Sequence, residues 1–215
     1  MLFHQFRLLI FIALWVITSS SQTLCQSLHK DILQKRISIT LTNVDLLVAL
    51  KTLSRENQIS IGVEYSESTT GSNQLNEHIT FNTSQLPLKS VLRKLVEAEP
   101  QFIWHVTNDV INVMPRKSSN SPLDTKVSSF KVEDMTKNDI TDTIYDLPEF
   151  RQALELAGLS PGFIIIVKPL QEDKTKISIS LTNTTVRDIL NEIAKKTNNK
   201  FWSTSIFQKH LFVNL

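Results

Sequence analysis

A seven-residue phrase occurs twice in this chain, at residues 37–43 and 177–183, and the two copies differ at one position only. In both copies Ile, Ile and Leu alternate with Ser or Thr, which is the two-residue period of a strand with one buried face. Each copy ends in Thr-Asn and is followed by apolar residues at helical spacing. A looser copy at residues 78–83 is followed by the same spacing. The chain therefore repeats a strand-then-helix unit, and a repeat restricts the possible folds more than any single motif does.

The first part of the chain, residues 29–115, predicts the order β-α-β and then β-α-β-β. Asn43 is the predicted N-cap of its first helix, and Asn57 is the predicted left-handed residue that closes that helix. Neither helix can bury its apolar stripe alone, so we expect the two strand-helix units to pack on each other. The segment from Pro115 to Lys126 is polar, carries two prolines and lacks periodicity, which predicts a domain boundary.

The second part, residues 127–215, predicts the same order with an enlarged first helix that breaks near Pro148. Residues 163–167 form an apolar run that predicts a strand covered on both faces. Either Asn183 or Thr184 is predicted to cap the helix that follows the repeated phrase. The predicted fold class is α+β, with tandem small β-α-β-β-α-β-β modules. The predicted organisation is a signal peptide over 1–26, a first module over 27–115, a linker over 116–126 and a second module over 127–215.

The N-terminus predicts export from the cytoplasm. Ten uninterrupted apolar residues at positions 8–17 follow a weakly positive start and precede a small polar stretch, as in secretory signals. That run is too short for a spanning helix, which needs about 20 residues; an uncleaved membrane anchor is the alternative. Cleavage is expected after Ser20, Ser21 or Cys25, and the residues before Cys25 lack the small side chains of a lipoprotein signal. We expect a periplasmic location in a diderm bacterium, with monoderm and eukaryotic export left open.

Composition disfavours several functional classes. The net charge of +2 gives no basic stripe for nucleic acid, and the single cysteine permits no intramolecular disulfide. The five histidines are all more than four residues apart, so they lack metal-ligand spacing. No nucleophile or acid–base set can be assembled from the sequence, so we expect a protein that is not an enzyme and needs no cofactor.

The first module resembles the short N-terminal (STN) domain of secretins and TonB-dependent receptors, and the second module resembles it by pattern only. The similar motifs are a strand, turn and helix start at 39–50, a helix end and Ile-x-Ile strand at 53–61, a strand at 79–81, a helix at 86–92 and a final strand at 110–113. The resemblance implies two helices packed between small sheets, and a role in periplasmic protein–protein contacts. No secretin or receptor barrel follows within the 215 residues, so we expect a free-standing pair of modules.

The predicted function is therefore docking on an envelope protein or on a second copy, without a membrane span after signal cleavage. Exposed sheet edges accept strands from partners, which is the mechanism we expect. The candidate interaction residues lie in the two closing hairpins: Trp104, Val106, Ile111, Val113, Trp202 and Phe212. The alternative is a peptidoglycan- or carbohydrate-binding module, for which Trp202 beside Asn198 and Asn199 is the local hint.

Overall fold

The structure is a computed structural model that describes residues 32–65, 78–116, 121–162 and 175–215, and it has the predicted α+β class. The first half contains β1 (Arg36–Val44), α1 (Leu46–Asn57), β2 (Ile61–Glu64), β3 (Ile79–Pro87), α2 (Leu88–Ala98), β4 (Phe102–Thr107) and β5 (Val110–Pro115). The predicted signal peptide with Cys25, and the polar segment 66–77, lie outside the described residues.

The second half repeats this order. A 3₁₀ turn (Pro122–Asp124) comes first, followed by β6 (Lys126–Met135), α3 (Lys137–Tyr145), α4 (Pro148–Leu156), β7 (Ser160–Pro161), β8 (Ile177–Thr185), α5 (Val186–Lys196), β9 (Phe201–Phe207) and β10 (His210–Asn214). The predicted break of the long helix is confirmed, because α4 begins at Pro148. The strand predicted over 163–167 lies outside the described residues.

The repeated phrases form strands β1 and β8, which pair antiparallel with β3 and β6 respectively. Their Ile residues are buried in the cores. Hydroxyl groups of β1 and β3 accept backbone N–H groups at bulges in their two-stranded sheet. The hydroxyl of Ser38 accepts the backbone N–H of Gln85 at 3.2 Å, and that of Thr80 accepts the N–H of Asn43 at 3.1 Å. Gln85 and Asn43 both have positive φ, so the hydroxyls satisfy N–H groups that the bulge turns away from the ladder.

Two of the predicted helix caps are corrected by the structure. Asn43 has a φ of 54° and lies within β1, whereas Asp45 caps α1 by accepting the N–H of Val48 at 2.7 Å. Asn57 is still helical, and the left-handed residue that ends α1 is Gln58.

The helix that follows the second repeated phrase is capped by Thr185, whose hydroxyl accepts the N–H of Asp188 at 3.1 Å. The predicted caps were Asn183, which takes a left-handed φ of 49°, and Thr184. The phrase therefore ends in a left-handed asparagine two residues before the cap, in both copies.

One six-stranded sheet joins the two halves, in the order β4-β5-β2-β9-β10-β7. Its centre is a parallel pairing of β2 from the first half with β9 from the second half. Ile61 faces Phe201 in this register, and both belong to the first core; Gly62 faces Trp202, which belongs to the second core. Because neighbouring residues of a strand point to opposite faces, the two cores lie on opposite faces of the shared sheet.

The last residues of the segment predicted as a linker belong to a 3₁₀ turn and to the start of β6. Leu123, in the 3₁₀ turn, is buried in the second core. Whether residues 27–115 fold alone stays a prediction, but the structure shows that Phe201 of the second half completes the first core.

No helix among the described residues is long and apolar enough to cross a membrane.

Candidate interaction surface

The internal junction between β2 and β9 shows how this fold holds a neighbouring strand. The N–H groups of Ile61 and Tyr65 donate to the carbonyls of Lys200 and Thr204, both at 2.9 Å. The indole of Trp202 lies across Gly62, so closely that a Cβ on this glycine would be 2.2 Å from the ring. The indole is fully buried, and its N–H donates to Asn191 on α5 at 2.8 Å. A glycine is therefore required opposite the tryptophan.

A buried ion pair closes the same junction. The guanidinium of Arg187 on α5 binds the carboxylate of Glu64 on β2, and the two side chains are only 7% and 8% exposed. The same guanidinium binds the exposed Asp124 at 2.8 Å, and the hydroxyl of Ser121 donates to Glu64 at 2.7 Å. Burial lowers the pKa of Arg187 to about 10, partly offset by the nearby Asp188, so the group stays charged at neutral pH.

A second titratable group lies at the edge of this cluster. Burial lowers the pKa of His105 on β4, and the charge of Asp124 opposes that shift. Burial likewise raises the pKa of Asp124, against the opposing effect of His105. The two side chains therefore couple β4 of the first half electrostatically to the 3₁₀ turn that begins the second half.

The hairpin β4–β5 is the structural equivalent of the hairpin β9–β10. Both turns have two residues of positive φ, Asn108–Asp109 and Gln208–Lys209, as two-residue hairpin turns require. Pairing within the hairpins places Trp104 opposite Val113 and Thr204 opposite Val213. Phe102 therefore corresponds to Trp202, and β4 corresponds to β9, the strand that pairs with β2.

The outer edge of β4 is open among the described residues, because β4 ends the six-stranded sheet and pairs only with β5. The N–H of Arg116 donates to the carbonyl of Gln101 on the β5 side. Backbone groups alternate in direction along a strand, so those of Trp104 and Val106 point to the open edge, whereas the N–H of Phe102 donates to the carbonyl of Glu99 at 3.0 Å. On β9 the carbonyl of Thr204, the equivalent of Trp104, accepts the N–H of Tyr65 after β2.

The other long edges are built differently. The pairs β1–β3 and β6–β8 both contain register shifts and left-handed residues, such as Asn43 and Asp134. Such bulges twist an edge away from incoming strands. The register of β4 with β5 is regular from Phe102 to Thr107, and every one of its residues after Phe102 is partly exposed. This edge is thus the flattest acceptor for another strand among those described.

The predicted interaction residues divide into two groups. Trp104 and Val106 are partly buried against the first core and flank the open edge of β4. Ile111, Val113 and Trp202 are buried, with 0%, 1% and 0% exposure. These three residues fill cores and present no surface to a partner, so we remove them from the candidate surface.

Phe212 is partly exposed on β10, on the sheet face opposite to the second core. Its ring lies over Gly162, where a Cβ would approach to 2.7 Å. The exposed ring of Phe207 shares this face, because Phe207 pairs with His210 and Phe212 follows two residues later. Phe212 remains a candidate contact residue, separate from the β4 edge.

Sequence reasoning missed the residues that form the junction, namely Gly62, Glu64 and Arg187. The one sequence signal for them is a glycine inside an apolar strand, which often marks the close approach of another group. The burial of Trp202 also removes the local hint for carbohydrate binding, since a fully buried ring cannot stack on a sugar.

Comparison with protein-family models, with curated proteins and with solved structures found no match to this chain. Among the described residues, no group of three or more His, Cys, Asp or Glu side chains is placed to hold a metal ion.

Proposed function

We propose that this chain is an exported, non-enzymatic interaction protein built of two STN-like halves, which docks on an envelope protein through the open edge of β4. The observation that carries the proposal is the regular edge from Phe102 to Thr107, whose equivalent strand β9 already accepts β2 within the molecule. Main-chain hydrogen bonds at such an edge supply affinity, and the flanking side chains supply specificity. Trp104 and Val106 are the flanking side chains.

The test is a crosslinking pull-down from envelope extracts of the source cell, beside a peptidoglycan pelleting assay. The bait is the mature chain, residues 27–215, which lacks the predicted signal peptide. The matched variant is Val106→Pro, because the N–H of Val106 points outward and proline is tolerated on an edge strand. We expect one protein to be captured by the native chain and lost with the variant, and no pelleting with the sacculus.

The melting temperature of the variant must lie within a few degrees of that of the native chain, so that loss of capture can be attributed to the edge of β4 and not to unfolding. Capture that survives Val106→Pro would refute docking through β4. Pelleting of the native chain without a protein partner would replace the proposal by glycan binding.

A further inference from the structure

Three helix ends and the start of β1 meet at one end of the molecule. The hydroxyl of Ser54, near the end of α1, donates to the carbonyl of Lys200, just after α5, at 2.9 Å. The ammonium of Lys35, just before β1, donates to the carbonyl of Asn57 at the end of α1, at 2.6 Å. The N–H of Leu88 at the start of α2 donates to the carbonyl of Lys35. The ends of α1 and α5 therefore lie beside the start of α2.

All three helices have their bases toward this end. α1 has Asp45 as its cap and Arg55 in its last turn, and α5 has Asp188 in its first turn and two lysines in its last. α2 runs the opposite way and carries Lys89 in its first turn and Glu97 in its last. We define the basic end by the cations Lys35, Arg36, Arg55, Lys89, Lys196 and Lys200.

Helix stability accounts for only part of this arrangement. A base at the C-terminus of a helix interacts favourably with the helix dipole, which explains Arg55 and the lysines that end α5. Lys89 lies at the N-terminus of α2, where the dipole disfavours a cation. Its side chain is exposed and forms no ion pair among the described residues. The fold gains nothing from Lys89, so its position indicates a negatively charged partner outside the fold.

The acids at the basic end are fewer than the bases. Glu56 lies 3.7 Å from Arg55, Glu192 pairs with Lys195 at 2.6 Å, and Asp109 lies in the turn between β4 and β5. Four cations form no ion pair within the described parts of the chain: Lys35, Arg36, Lys89 and Lys200. The basic end is therefore an excess of positive charge in a chain whose net charge is only +2.

The chain also enters the fold at the basic end. Ile32, the first described residue, packs on the first core, and its carbonyl accepts the N–H of Lys35 at 3.2 Å. Residues 1–31, which include the apolar run at 8–17, therefore join the fold beside these cations. A membrane that holds this run, as a signal or as an anchor, is tethered to the fold at its basic end.

We infer that the basic end binds the surface of an anionic membrane, through the phosphates of its lipid headgroups. The cations come from the start of β1 and from three helices, and such a spread suits many headgroups better than one bound group. Each Lys or Arg near an anionic bilayer strengthens binding about fivefold. This contact goes beyond docking through β4 and does not depend on it.

The test is sedimentation of the mature chain with vesicles of phosphatidylglycerol and phosphatidylcholine, beside vesicles of phosphatidylcholine alone. We expect binding to the anionic vesicles only. Binding should weaken as the salt concentration rises to about 0.15 M, because the Debye length then falls to about 8 Å.

Charge reversal at the basic end locates the contact. Lys89→Glu should weaken vesicle binding at least ~5-fold, and a double variant with Lys196→Glu at least ~25-fold. Lys89→Glu places an acid at a helix N-terminus, so the melting temperature should not fall. The matched control is Lys209→Glu, which makes the same change in the turn after β9. This strand begins beside Lys200 and its seven residues span about 23 Å, so the control lies at the opposite end and should bind normally.

Three results would overturn the inference: no binding to anionic vesicles at low salt, equal binding to both kinds of vesicle, or equal weakening by Lys209→Glu and Lys89→Glu. If vesicles do not bind but Lys89→Glu abolishes capture of an acidic protein from envelope extracts, that protein is the partner of the basic end and the membrane is not. Loss of vesicle binding in Lys89→Glu with capture through β4 retained would support both proposals separately.

Discussion

Replacing Gly62 by alanine should destabilise the protein, although alanine is the better residue in most strands by about 0.5–1 kcal/mol. The new Cβ would lie 2.2 Å from Cε2 and 2.5 Å from Nε1 of Trp202, whereas carbon atoms pack at about 3.5–4.0 Å. The indole must therefore move by more than about 1 Å. It is fully buried and hydrogen-bonded to Asn191, so its movement would strain that bond and push on the surrounding core residues.

The expected size follows from two effects. Overpacking of a core costs about 1–3 kcal/mol. Pulling the indole N–H from Asn191 leaves buried polar groups unpaired, at about 1–3 kcal/mol. We therefore expect Gly62→Ala to lower the free energy of unfolding by about 2–5 kcal/mol, measured by urea denaturation of the mature chain.

Two further variants separate this mechanism from a general effect of alanine. Trp202→Phe should recover part of the loss in the Gly62→Ala background, because the smaller ring makes room for the Cβ. Gly158→Ala meets no atom within 4 Å but is strained by its φ of +66°; it should cost about 1 kcal/mol and should not be rescued. A neutral or stabilising Gly62→Ala would refute the close junction between β2 and β9.

Four more outcomes are expected from the same structure. Glu64→Gln should cost about 1.5–3 kcal/mol in urea denaturation, because the buried Arg187 then keeps only the exposed Asp124 as its ionic partner; a loss below ~1 kcal/mol would contradict the buried pair. Asp45→Ala should lower the free energy of unfolding by about 1 kcal/mol through loss of the α1 cap, and a neutral result would show that Asp45 does not cap α1. Burial lowers the pKa of His105, so the unfolded chain binds more protons, and the melting temperature should fall as the pH is lowered from about 7.5 to 5.5. His105→Gln should flatten this dependence, and an unchanged slope would show that His105 does not cause it. Residues 27–115 alone should melt cooperatively but below the whole chain, because Phe201 is then missing from the first core; absence of a cooperative melt would show that the halves fold as one unit.

Periodicity was enough to predict the class and the order of the elements, because each element carries its own local pattern. The hairpin turn at Asn108–Asp109 and the helix break at Pro148 are local in the same sense. The predicted caps failed where a bulge extended the strand: Asn43 takes the left-handed position inside β1, which moves the cap to Asp45.

The junction between the halves could not be predicted from local pattern. The pairing of Gly62 with Trp202 joins strands about 140 residues apart, and parallel pairing leaves no turn signal between them. The acid Glu64 and the base Arg187 look like ordinary surface charges in the sequence, yet both are buried. Trp202 was a candidate contact residue for the same reason. The sequence around an aromatic residue in a closing hairpin does not show whether its ring faces solvent or the other half of the chain.

The most direct test of docking through β4 is amide hydrogen exchange on the mature chain, alone and in complex with the protein that it captures. The outward N–H groups of Trp104 and Val106 should exchange rapidly in the free chain and at least ~10-fold more slowly in the complex. Unchanged exchange at these two amides, with protection elsewhere on the surface, would contradict docking through β4.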